Sequence, residues 1–263
     1  MSKRINKLSA MLTAILTSAI AQVAYATPTI IDDNYIGGND HKWGDVIGDK
    51  NLFDVYSMDV ELLAGNLLSV SINTNFAGRG DNGLFSGYTY DGNGIGYGDL
   101  FLSGSWTPCL NVACSSPYKT DNNANGTIWE YGFSLDDRYK DGGTGSLYSL
   151  NGDNSDVLLS ENFLKGATFR NGQEIAVDTT DKKAINSSSW DLIADTNNTV
   201  GKINFLIDLN GTTLAGSDTI ALHWGMSCGN DTIEGEYSVP EPAILGLLAI
   251  GLIGVGVSKR NKT

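Results

Sequence analysis

Hydrophobic residues recur at every second position in four stretches of this chain. In "NLLSVSINTNF" the alternating set is Leu68, Val70, Ile72, Thr74 and Phe76, and in "IWEYGFSL" it is Trp129, Tyr131, Phe133 and Leu135. Ile203, Phe205, Ile207 and Leu209 repeat the pattern, as do Ile220, Leu222, Trp224, Met226 and Cys228. A period of two places one set of side chains on one face, so each stretch predicts a half-buried strand. Weaker strand candidates lie at 53–60, 99–106, 146–150, 157–163 and 174–179. Asn-Gly at 82–83, 93–94, 125–126, 151–152, 171–172 and 210–211, with Asp-Gly at 91–92 and 141–142, supplies turns that accept positive φ.

This density of hairpin signals predicts antiparallel pairing. No helical period is long enough to serve the crossovers of a parallel sheet, although "SSSWDLIADT" near 187–196 can hold one short helix. A sheet with one apolar face must bury it against a second layer. The expected fold class is therefore all-β: a single antiparallel β-sandwich, jelly-roll or lectin-like, over residues 27–238. A barrel or a β-solenoid stays open, the solenoid being disfavoured by the lack of a fixed-length repeat.

The two ends follow other rules. Lys3, Arg4 and Lys7 precede an uncharged, largely apolar stretch from Leu8 to Val23, and Ala24-Tyr25-Ala26 fits the A-x-A site of a signal peptidase. Residues 1–26 read as a secretory signal peptide. At the other end Val239-Pro240-Glu241-Pro242 leads into an uncharged apolar run at 243–257, then the basic tail at 258–263 with Lys259, Arg260 and Lys262. As a helix that run is about 22 Å long at ~1.5 Å per residue, short for a hydrocarbon core of ~30 Å. It reads as a transmembrane helix whose basic end stays in the cytoplasm, leaving the body beyond the inner membrane.

Net charge narrows the partners. Of seventeen basic residues, Lys3, Arg4, Lys7, Lys259, Arg260 and Lys262 lie at the ends; eleven remain in the body against twenty-nine acids once Glu241 is set aside from the thirty. Nucleic acid is excluded as a partner on sign, and divalent cations are the natural counterions. Calcium is thus the cofactor to look for. Asp121, Asn123 and Asn125 in "DNNANGTIWEYG" match the opening of a calcium loop, but Gly132 stands where a bidentate glutamate belongs, so a plain Asn-rich turn competes with a metal site. Export to an oxidising compartment favours a disulfide between Cys109 and Cys114 in "PCLNVACSSP", leaving Cys228 unpaired.

Enzymatic motifs are sparse, and the chain is expected not to be an enzyme. His223 is out of phase with Leu222 and Trp224 and reads as exposed or lightly hydrogen-bonded. Glu234 and Glu236 share one strand face and are the acids a glycosidase would use. Trp43, Trp106, Trp129, Trp190, Trp224 and the tyrosines offer rings for sugar stacking, with Trp129 and Trp224 placed by phase in the core.

Taken together, the Val-Pro-Glu-Pro segment, the short apolar run and the basic end resemble the PEP-CTERM sorting signal of Gram-negative bacteria. The resemblance covers 239–263 and implies that Val239, Pro240, Glu241 and Pro242 form the motif recognised by exosortase. It implies too that the apolar run anchors the precursor in the inner membrane and that Lys259, Arg260 and Lys262 fix its orientation. Proteins with such tails are associated with exopolysaccharide and biofilm. "YIGGNDHKWGDVIGDKNLFDV" and "ALHWGMSCGNDTIEG" also resemble segments of uncharacterised PEP-CTERM surface proteins. The expected function is that of an exported cell-surface or matrix protein, structural in role and in contact with extracellular polysaccharide. Signal peptidase and exosortase are its processing partners, and a carbohydrate-binding module is the alternative.

Overall fold

The computed structural model describes residues 28–34, 45–80, 82–108, 126–166, 170–196 and 200–240. The expected signal peptide at 1–26 and transmembrane helix at 243–257 lie outside them. Among the described residues no helix is long and apolar enough to cross a membrane.

Residues 28–240 form one unit whose regular secondary structure is almost wholly strand. These are β1 (Thr29–Asp32), β2 (Val55–Leu63), β3 (Leu67–Thr74), β4 (Leu100–Ser103), β5 (Tyr131–Leu135), β6 (Gly142–Ser149), β7 (Val157–Leu159), β8 (Glu174–Val177), β9 (Asn186–Ile193), β10 (Gly201–Asp208), β11 (Thr219–Gly225) and β12 (Thr232–Ser238). Single helical turns at Lys50–Phe53 and Ser160–Phe163 interrupt them. Ten strands share one continuous sheet in the order β1-β2-β3-β10-β9-β6-β5-β4-β11-β12, with every pair antiparallel. The body is all-β, as the alternation and turn chemistry predict. A sandwich with joined edges and a flattened barrel share this hydrogen-bond connectivity.

The sheet is nearly closed. Its first and last strands, β1 and β12, approach one another, and the Leu62 N–H of β2 donates to the Tyr237 hydroxyl of β12 at 3.3 Å. Gly235 permits the approach, because a Cβ there would lie 2.4 Å from Ile31 Cγ2. Inside, the alternating sets meet in register: Val60 faces Val70, Val70 faces Phe205, and Phe205 faces Trp190. These residues join Met58, Ile72, Phe133, Leu222, Trp224, Ile233 and Tyr237 in the main core. Full burial of such a side chain contributes about 1.5–3 kcal/mol, so this face is the principal source of stability.

"SSSWDLIADT" is strand rather than helix. Its residues 187–193 belong to β9, which pairs with β6 and β10 and buries Trp190 against Tyr97 at a ring separation of 5.6 Å. Tertiary pairing here outweighs local propensity.

A second layer lies on the outer face. The β7–β8 hairpin covers β4, β5 and β11, enclosing Phe101, Trp129, Leu150, Val157, Val177 and Ala221. Gly132 admits it, since a Cβ there would sit 2.4 Å from Val177 Cγ2. Asp99 fastens it: one carboxylate oxygen accepts the Leu135 N–H at 3.0 Å, the other the Val177 N–H at 2.8 Å. Arg138 lies 3.3 Å from the same carboxylate. Burial pushes the Asp99 carboxyl up, opposed by Arg138 and by these N–H groups.

Gly98 is the tightest of these approaches: a Cβ there would lie 1.9 Å from the Gly225 carbonyl oxygen. Gly98→Ala must therefore displace β11 backbone, and the expected loss is about 3 kcal/mol or more in chemical denaturation. An unchanged denaturation midpoint would show that this contact is not needed.

Candidate functional site

The body ends where the expected sorting signal begins. β12 runs in register with β11 from Gly225↔Thr232 to Thr219↔Ser238, and the Val239 N–H then donates to the Asp218 carbonyl at 2.8 Å. Val239 is half-buried and packs on the main core, whereas Pro240 is exposed. Proline has no N–H to continue a ladder, so strand pairing stops there. Glu241, Pro242, Lys259, Arg260 and Lys262 lie outside the described residues, as do Cys109, Cys114, Asp121, Asn123 and Asn125. Cys228, by contrast, is a free thiol in the core, and burial pushes its pKa up to about 12.

His223 corrects the sequence reading. It does point away from Leu222 and Trp224, but the second layer covers that face and leaves the imidazole fully buried. Phe101 and Trp129 lie with ring centroids 5.8 and 5.6 Å from it. Nδ1 is 2.8 Å from Glu234 Oε1, and Nε2 is 2.8 Å from the Glu174 carbonyl oxygen. Two acceptors on the two ring nitrogens favour the doubly protonated imidazolium. Burial, the largest influence, lowers the His223 pKa; the hydrogen bond and charge of Glu234, aided by Glu174, outweigh it and hold the pKa above 6.5. Glu234 uses its other oxygen to accept from Trp106 Nε1 at 3.0 Å, whereas Glu236 is exposed. The two acids thus share a strand face in unlike surroundings, with Glu234 committed to a buried pair.

A second polar group, with one buried and two half-buried carboxylates, joins three distant segments. Asp33 follows β1, Asp45 precedes the segment that carries Ile47, and Asp231 immediately precedes β12; one carboxylate oxygen from each lies within 4.8 Å of the others. Asp231 is fully buried and accepts the Val55 N–H at 2.7 Å and the Thr232 N–H at 3.0 Å. Burial, then the charges of Asp33 and Asp45, push its carboxyl well above the ordinary range. Asp45 is raised too, chiefly by burial, against the pull of Arg170. Arg170 is buried alongside, donating to the Asp45 carbonyl oxygen and, at 3.1 Å, to Thr232 Oγ1. No spacing in the sequence announces this group, because its members stand at 33, 45 and 231.

Residues 238–260 match the family model of the PEP-CTERM protein-sorting motif. No curated protein matches the chain, and no solved structure does. The chain therefore carries a PEP-CTERM sorting domain, and the motif implies an exosortase-targeted, exported surface protein made as a membrane-anchored precursor. The match begins at the last residue of β12.

The His223–Glu234 pair generates a pH dependence. A folded-state pKa above 6.5 contributes stability that is fully present below the ordinary histidine value and is lost as pH rises through the folded value. Thermal melting followed from pH 6 upward is expected to fall with rising pH in the native chain and to flatten in His223→Gln. His223→Ala, which leaves Glu234 buried without its cation, is expected to cost about 3–5 kcal/mol. A native chain whose melting temperature is flat across that range would rule out a charged pair.

Proposed function

We propose that this protein is an exported structural component of the cell surface or extracellular matrix. Residues 1–26 direct export and are removed after Ala26. Residues 243–257 hold the precursor in the inner membrane with Lys259, Arg260 and Lys262 in the cytoplasm, until exosortase acts at the Val239–Pro242 segment. The body then mixes with extracellular polysaccharide through its acidic, glycine-rich loops. One observation carries the reading: the sorting motif starts at Ser238, where the closing strand of a complete sheet ends. An address appended to a finished domain leaves the domain whole when the address is removed.

A second reading, carbohydrate binding, is favoured by one surface feature. Trp129 and Trp224 are fully buried and so unavailable for sugar stacking, but Tyr88 and Tyr90 are 56% and 62% exposed on the loop between β3 and β4. Asp91 and Asn93 are hydrogen-bonded to each other beside them, at 2.9 Å and 3.1 Å. Exposed rings flanked by polar groups fit the alternation of apolar and hydroxyl faces on a sugar.

Exchanging Glu241 and Pro242 for alanine in the native cells tests the first reading. The expected result is precursor retained in the membrane fraction and depleted from the surface; unchanged partitioning would contradict it. For the second, Tyr88→Ala and Tyr90→Ala are each expected to weaken binding to the cells' own polysaccharide by about threefold to tenfold. Equal retention of native and variant chains on that polysaccharide would remove the lectin-like reading.

A further inference from the structure

Asp33, Asp45 and Asp231 converge where the two ends of the sheet come together. The Asp33 N–H donates to the Tyr56 carbonyl at 3.0 Å, which ties it to β2, and the Ile47 N–H donates to the Asn230 carbonyl at 2.8 Å, which ties the Asp45 segment to the start of β12. Oxygens within 4.8 Å of one another match the separation across a cation that binds oxygen at about 2.3–2.6 Å. The charges of Asp33 and Asp45 both act to raise the Asp231 carboxyl, so each repels it across the cluster. A fourth acid, Asp54, acts on Asp45 from farther away and has its own partner in Lys50 at 3.6 Å.

Two oxygens here ask for a ligand on hydrogen-bonding grounds as well, and the second, on Asn230, carries no charge. Asp45 Oδ1 is fully enclosed and receives no hydrogen bond. Asn230, next to Asp231 and only 2% exposed, likewise has an enclosed Oδ1 with no donor. Its amide nitrogen lies 3.4 Å from where a Cβ on Gly48 would stand, so the side chain lies between the segment that follows Asp45 and the turn that leads into β12. Buried oxygens without donors are costly and are ordinarily satisfied by water or an ion.

We propose that Asp33, Asp45 and Asp231 bind a calcium ion that clasps the first strand of the sheet to the last. The donor set is all oxygen, which disfavours zinc and copper. Asp231 already holds a backbone N–H on each oxygen, so it presents an irregular ligand geometry that calcium tolerates and magnesium, with its strict octahedron, does not. The ion replaces mutual repulsion of the carboxylates by attraction at the seam. Calcium is scarce inside cells and plentiful outside, so the clasp closes after export. The site stands on its own geometry; only this timing rests on the export reading, and failure of the calcium titration leaves the sorting test untouched.

The test uses the full chain, purified in detergent, stripped with EGTA and titrated with calcium chloride by calorimetry, with magnesium chloride as the control. One calcium per chain is expected, with a melting temperature that rises with calcium and responds less to magnesium. Asp33→Asn and Asp45→Asn change half-buried residues outside the strands and are expected to fold. Each should weaken calcium binding by about tenfold or more. In EGTA each should melt at or above the native chain, because a repulsive charge is gone. A native chain whose melting is indifferent to calcium overturns the proposal and points to a proton shared among the carboxylates. So does a calcium response that persists undiminished in both variants.

Discussion

The pairing of β12 with β11 is the interaction on which the rest of this molecule depends. In seven residues β12 supplies Ile233 and Tyr237 to the core, Glu234 to the buried histidine, and a hydroxyl to β2 across the seam. Asp231 enters immediately before it. With β12 undocked, the apolar face of β11 meets water, His223 loses its counter-charge and the sheet opens between its first and last strands. The same strand leads straight into the sorting motif. Fold and address therefore meet at Val239 and Pro240, the one anchored on the core and the other exposed.

Glycine makes the layered packing possible. Gly235 lets β1 and β12 close, Gly132 admits the outer hairpin, and Gly98 lies against the β11 backbone. Each position is one where a side chain would hold two elements apart. The outer hairpin in turn converts a sheet face that should meet solvent into a second core, and this creates the buried charges. Asp99, His223 and Glu234 are all enclosed beneath it or at its margin, each with a partner. Such pairs contribute little net stability over apolar replacements, but breaking one is expensive, so they fix the arrangement of the layers.

The strands with strict alternation were legible in the sequence: β3, β5, β10 and β11 start within two residues of their expected spans, and the weaker candidates overlap β2, β4, β6, β7 and β8. β9 was not, because its serines and Asp191 mask the one large apolar residue, Trp190, that pairing with two neighbours buries. The phase of His223 was readable and its exposure was not. Period two assigns a face, but it cannot say whether another layer covers that face. The sorting motif was legible because recognition of it is local, a contiguous run of residues. The aspartate group is the opposite case, with members nearly two hundred positions apart brought together only by closure of the sheet.

An address that follows a completed domain makes a direct demand on the mature molecule. Mass spectrometry of the protein recovered from its own cells should find a chain that begins at Thr27 and ends beyond β12, without the apolar run at 243–257. A soluble intracellular chain with both native ends intact, or an end cut within β12, would contradict the account.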